Sequence, residues 1–168
     1  MNPKYEEIVK RLREIAHLRH VEGLLGWDQQ TYMPPKANPG RAQQMALLSS
    51  LAHERLCDPV LGNLLEELLD ASSLNEEQKA LVREAKRDRD KAVKIPSDLV
   101  REITETSGKA HMVWVEARQA NNFSQFAPML SRLVELKKQE AQALGYPSDG
   151  VPYDALLDGF EPGATVRN

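Results

Sequence analysis

Residues 3–25 read PKYEEIVKRLREIAHLRHVEGLL. Tyr5, Ile8, Leu12, Ile15, Leu18, Val21 and Leu25 recur at steps of three or four, which places them on one stripe of a single long helix beginning near Pro3. The rest of the chain has the same character. Aromatic residues make up only 5% of the 168 residues, β-branched runs are missing, and Leu, Ala, Glu, Gln, Lys and Arg dominate. These are the side chains that lose least on entering a helix, so the expected class is all-α: about six helices in antiparallel hairpins. At 41% hydrophobic and 28% charged residues the chain fits one globular domain with a real core.

Outward from that first helix, Gly26 follows Leu25, and Trp27-Asp28-Gln29-Gln30-Thr31-Tyr32-Met33-Pro34-Pro35 ends in a diproline that forbids regular hydrogen bonding. This stretch reads as a loop, or as a fraying helix end that runs into one. A second helix is expected from about Pro39 to Leu56, with Met45, Leu48, Ala52 and Leu56 inward. Asp58-Pro59 reads as a cap and a first-turn proline that start a third helix through Leu61, Leu64, Leu65 and Leu68. Asn75 caps a fourth, whose apolar stripe narrows to Leu81, Ala85, Ala92 and Ile95 while nearly every residue from Arg83 to Lys91 is charged. That run reads as a solvated face with i,i+3 charge pairs such as Glu84 with Arg87. Pro96 ends it. A fifth helix carries Leu99, Ile103, Ala110, Val113, Trp114 and Ala117 as far as Asn121-Asn122, and a sixth starts at Ser124 and is closed by Gly145. Tyr153 to Leu157 form at most one short helical turn. Glu161-Pro162-Gly163-Ala164-Thr165 is the kind of turn that precedes a helix, so a cut in a longer chain is expected near Asn168.

Charge and cysteine content exclude several function classes. Lys plus Arg number 22 against 25 Asp plus Glu, a net charge of −3, so the bulk electrostatics disfavour nucleic acid and anionic lipid. The single cysteine, Cys57, excludes an intrachain disulfide framework and fits a reducing, cytoplasmic compartment. No apolar run approaches the roughly 18–20 residues needed to span a bilayer.

Three constellations invite a chemical reading. His53-Glu54-Arg55-Leu56-Cys57 superficially resembles the zinc motif H-E-x-x-H, but the second imidazole is replaced by Cys57, and a small buried cysteine accounts for the position. His17 and His20 share a helix face yet have no evident third ligand; they and His111 read as partly exposed or capping side chains. The segment carrying Trp27, Asp28 and Tyr32 sets two aromatics, an acid and two amides between long helices. It reads either as a functional loop or as an aromatic plug at the end of the bundle.

Taken together, Leu25-Gly26-Trp27-Asp28-Gln29-Gln30-Thr31-Tyr32-Met33-Pro34-Pro35, then Arg41-Ala42 and Leu51-Ala52-His53-Glu54, resemble the N-terminal region of the carboxypeptidase Taq family of metal-dependent carboxypeptidases. Trp114, Ala117-Arg118, Asn122-Phe123, Phe126, Pro128 and Leu130 continue the resemblance in the same order. So do Leu144-Gly145-Tyr146, Tyr153 to Asp158 and Glu161-Pro162-Gly163, so that it covers essentially the whole chain. The resemblance implies a helical cytoplasmic peptidase that removes C-terminal residues from peptides, is homodimeric when intact, and uses zinc, or cobalt as a substitute, held by H-E-x-x-H and a later Glu. None of those ligands is in this sequence, and the family's catalytic motif falls beyond the equivalent of Asn168. The chain is therefore expected to be the N-terminal helical domain, 1–168, with no catalytic or metal-binding residue of its own. Trp27, Asp28 and Tyr32, or the charged fourth helix, are expected to face the substrate groove or the downstream catalytic domain. A free-standing helical interaction module is the alternative.

Overall fold

The computed structural model describes residues 2–167, which form seven α-helices: α1 (Pro3–Thr31), α2 (Asn38–Cys57), α3 (Pro59–Leu68), α4 (Glu76–Ala92), α5 (Ser97–Gln119), α6 (Phe123–Leu144) and α7 (Pro152–Leu157). A 3-10 turn over Pro35–Ala37 bridges α1 and α2. Among the described residues there is no strand, and no helix is long and apolar enough to cross a membrane.

The helix starts follow local chemistry. Asn2 accepts from the Lys4 and Tyr5 amides, Asp58 accepts from the Val60 amide at 2.8 Å ahead of Pro59, and Asn75 and Gln78 exchange side-chain and backbone bonds in a capping box. At the other end of α6, Gly145 takes φ +79°, a conformation that costs glycine little, while its amide closes on the Ala141 carbonyl.

Cross-helix contacts fix the topology. Arg41 reaches Asp28 while Arg55 lies near Glu14, so α1 and α2 run antiparallel. Thr104 bonds to Ser49 and Gly108 packs on Ala42, so α2 and α5 do as well; Arg132 with Glu102 and Gln125 with Glu116 give the same relation for α5 and α6. α3 folds back along the start of α1, where Asp58 pairs with Arg11 at 2.7 Å and Glu67 with Lys4 at 2.5 Å.

The main core lies within the first four helices. Ile8, Ile15, Leu61, Leu65 and Val82 form its buried centre, joined by Leu56, Leu68 and Leu74. Burying each such side chain contributes about 1.5–3 kcal/mol before the entropy of ordering is subtracted. Arg89 lies directly over Gly62, where a Cβ would stand 2.4 Å from the guanidinium carbon, and its Nη2 donates to the carbonyl of Cys57 at the end of α2. Small residues set the α2–α5 contact: a Cβ on Gly108 would lie 3.1 Å from that of Ala42.

Two sequence expectations require correction here. The α4 stripe runs through Val82, Ala85 and Ala92, and Leu81 is exposed, because the α2–α3 surface meets the helix one position further round than the spacing suggested. The charged face of α4 is also not merely solvated. Arg87 and Lys91 both hold Asp158, which follows α7, and so anchor the C-terminal segment.

Candidate functional site

The end of α1 carries the residues singled out in the sequence. Gly26 does not stop the helix, which continues through Trp27 and Asp28 to Thr31; the Thr31 hydroxyl donates to the Trp27 carbonyl, and the Tyr32 and Met33 amides both close on the Asp28 carbonyl. The loop reading therefore holds only from Tyr32 onward, and the diproline falls in the connection to α2.

Trp27 and Tyr32 come together on this end, ring centroids 5.5 Å apart and inclined at 63°, both largely open to solvent. Asp28 takes a different direction. Its Oδ2 lies 2.7 Å from Nη2 of Arg41, whose Nη1 donates to the Leu25 carbonyl at 2.6 Å. One guanidinium thus clamps the last turns of α1 to the first turn of α2. Beside it, Gln29 Nε2 donates to Oδ1 of the buried Asn38 at 2.7 Å and to the Gly108 carbonyl at 3.1 Å, which ties α1, α2 and α5 into one layer. Arg41, Gln29, Asn38 and Gly108 thus fix the end of α1 that carries the aromatic pair. The pairing of Arg41 with Asp28 carries no local sequence signal, since it spans the irregular turn between two helices.

The arrangement offers an exposed, edge-to-face aromatic surface on a rigid base, suited to an extended chain or to another protein surface. The carboxylate beside it is not free. Asp28 is occupied by Arg41.

The His53–Cys57 pair is equally quiet chemically. His53 Nε2 lies 2.9 Å from the Ile95 carbonyl, which only accepts, so Nε2 carries the proton and cannot ligate a metal. Burial pushes the His53 imidazole below its ordinary value, against the opposing pull of that carbonyl, and burial likewise pushes the Cys57 thiol up. Neutral imidazole and protonated thiol sit 3.6 Å apart and join α2 to the turn before Pro96. His17 and His20 are exposed on α1, and His111 leans on Trp114. Among the described residues no three His, Cys, Asp or Glu side chains converge on a common point, so these residues do not fit the metal that the resemblance implies.

Known proteins are similar to this chain in sequence and fold. Thermostable carboxypeptidase 1 of Pyrococcus furiosus is 35% identical over 167 residues, covering 99% of this chain and 33% of the relative. Thermostable carboxypeptidase 1 of Thermus thermophilus is 35% identical over 173 residues, with 97% and 34% covered. The crystal structure of BsuCP superposes with a TM-score of 0.92 at 32% identity, over 98% of this chain and 33% of that one. The M32 carboxypeptidase of Deinococcus radiodurans does so with a TM-score of 0.76 at 34% identity, over 99% and 33%. The chain spans about a third of the length of the curated relatives it matches. The profile of the carboxypeptidase Taq (M32) metallopeptidases matches residues 7–168, and with that span and this fold the chain belongs to the carboxypeptidase Taq family.

Proposed function

We propose that these residues are the N-terminal helical third of a cytoplasmic, homodimeric metallocarboxypeptidase that hydrolyses C-terminal residues from peptides. The observation that carries the reading is the family match over residues 7–168 combined with coverage of only a third of each relative. In this reading zinc, or cobalt in its place, and the water-activating glutamate belong to the downstream catalytic domain. The present residues supply none of them, and no chemical step is assigned to them. The domain's work is to cover one side of the groove and restrict access to peptides with free ends. The exposed Trp27–Tyr32 pair is the lining surface, and the Asp28–Arg41 clamp is what keeps it in place.

Broad apolar exposure on α5 to α7 favours this reading over a free-standing interaction module, for which one self-contained apolar core is expected. Leu130, Val134, Val151 and Tyr153 all face outward around a groove of about 650 Å³. The test has two parts. The 168-residue chain with added zinc or cobalt should not release C-terminal residues from peptides, and measurable release would overturn the assignment. In an intact enzyme containing this domain, Trp27→Ala with Asp28→Ala should alter KM or the length preference for peptides; unchanged turnover and unchanged stability would reject the groove role.

A further inference from the structure

A second cavity, of about 480 Å³, lies away from the Trp27 end, between α1, α2 and α4 and beneath the segment after α7. Arg19 and Glu22 of α1, His53 and Leu56 of α2, Asp88 of α4 and Ile95 of the turn after it line it. Asp158 to Pro162 form its outer edge. That edge is firmly built: Asp158 holds Arg87 and Lys91, its Oδ1 accepts the Gly163 amide at 2.8 Å, and Asp154 accepts the Val166 amide at 2.8 Å. Phe160 stands at the mouth with 92% of its surface exposed, the most open large apolar side chain among the described residues.

The charges around this space are unevenly satisfied. Arg87 and Lys91 are engaged by Asp158, and His53 is neutral and turned to the Ile95 carbonyl. That leaves Arg19, Glu22 and Asp88, which form no ion pair or side-chain hydrogen bond among the described residues. Glu22 is also partly buried, and burial pushes its carboxyl up with only the nearby Arg19 opposing. A half-buried carboxylate without a donor is stabilised by a cationic ligand, and an adjacent unpaired guanidinium by an anionic one. Leu56, Ile95 and Val100 supply an apolar floor to the same cavity, which Phe160 also lines.

We infer that this cavity binds a small zwitterion with an apolar side chain, a free α-amino acid of the leucine type. Its ammonium meets Glu22 and Asp88, its carboxylate meets Arg19, and its side chain lies between the apolar floor and Phe160. The inference is independent of the peptidase reading, because it rests on this cavity alone and its readout is binding.

The test is a titration of the 168-residue chain with L-leucine, followed through backbone amide NMR. The expected result is saturable shifts confined to the cavity lining, with a dissociation constant on the order of 1 mM, the range open to a ligand of roughly nine non-hydrogen atoms. Leucinamide, which lacks the carboxylate, and isocaproate, which lacks the ammonium, should each bind about tenfold more weakly. Glu22→Gln should weaken leucine by a similar factor while leaving isocaproate unchanged, and Arg19→Gln should weaken leucine while leaving leucinamide unchanged. Both side chains lie outside the core, and circular dichroism verifies that each variant folds. Absence of saturable shifts at about 50 mM leucine, some fifty times that constant, would overturn the proposal. So would equal binding of all three compounds, or shifts centred elsewhere.

Discussion

The first four helices and the last three solve the problem of burial differently. In α1 to α4 large side chains meet at a common centre, and Ile8, Leu61, Leu65 and Val82 are fully enclosed. In α5 to α7 the buried positions are mostly alanines, namely Ala110, Ala117 and Ala141, with Leu136 as the single large enclosed side chain; Trp114, Phe123, Leu130, Val134 and Tyr153 are turned outward. The first half is held together by its own core. The second is a helical hairpin joined to it through small residues along α2 and α5, and it keeps its large apolar surface free for something else. Helices that approach closely through Ala42 and Gly108 gain contact area but enclose little volume, so the larger side chains are left on the far face.

This contrast can be broken by mutation. The largest effect is expected for Leu61→Ala or Leu65→Ala, each lowering the unfolding free energy by about 2–5 kcal/mol in urea titrations, because a cavity replaces a fully enclosed side chain. Val134→Ala, on the open half, should change it by no more than about 0.5 kcal/mol. Equal losses at the two places would erase the distinction. Leu136→Ala sharpens it: as the one large enclosed residue of α6 it should cost about 2 kcal/mol or more, against almost nothing for its outward neighbours.

Gly108→Val addresses the joint between the halves. With the α5 backbone already close enough to place a Cβ 3.1 Å from Ala42, the extra methyl groups should force α2 and α5 apart at a cost of about 1–3 kcal/mol. Loss of protection from hydrogen exchange should appear first around the Gln29–Asn38–Gly108 bonds, while the α1–α4 core stays protected. Uniform loss of protection would instead mean that the two halves unfold as one unit.

The smallest effect concerns the C-terminal segment. Asp158 is held at about 2, below its ordinary 3.8, chiefly by its bond with Lys91 and by the Gly163 amide. A depressed carboxylate stabilises the fold fully above its unfolded value and loses that contribution as the pH falls through its folded value. Hydrogen-exchange protection of the Gly163 amide should therefore persist at neutral pH and fade between about pH 4 and 2, and Asp158→Asn should reduce it at every pH above that window. The group is partly exposed, so global stability should shift little.

Much of this architecture was legible along the chain because it depends on neighbours in sequence. The Asn75 cap, the Asp58-Pro59 start, the stop at Gly145 and the stripe through Ile8 and Ile15 are each written within a few residues. The family resemblance was equally legible, since ordered short motifs survive without knowledge of packing. Other features were not. Trp27 and Asp28 read as loop or as a fraying helix end because a glycine precedes them and a diproline follows, yet the helix runs on to Thr31 and Arg41 holds Asp28 within it. Leu81 looked inward by spacing, but which side of α4 meets the core depends on how α2 and α3 lie.

The sequence by itself determined the helices, their caps and the family, because periodicity, capping and motif order are local properties of the chain. Only the tertiary structure decided that Asp28 belongs to Arg41, that Asp158 belongs to Arg87 and Lys91, and that Arg19, Glu22 and Asp88 are left around one cavity. Each of these pairings joins residues whose separation along the chain says nothing about their distance in space. A charge acquires its partner, or remains without one, only when the helices that carry it have packed.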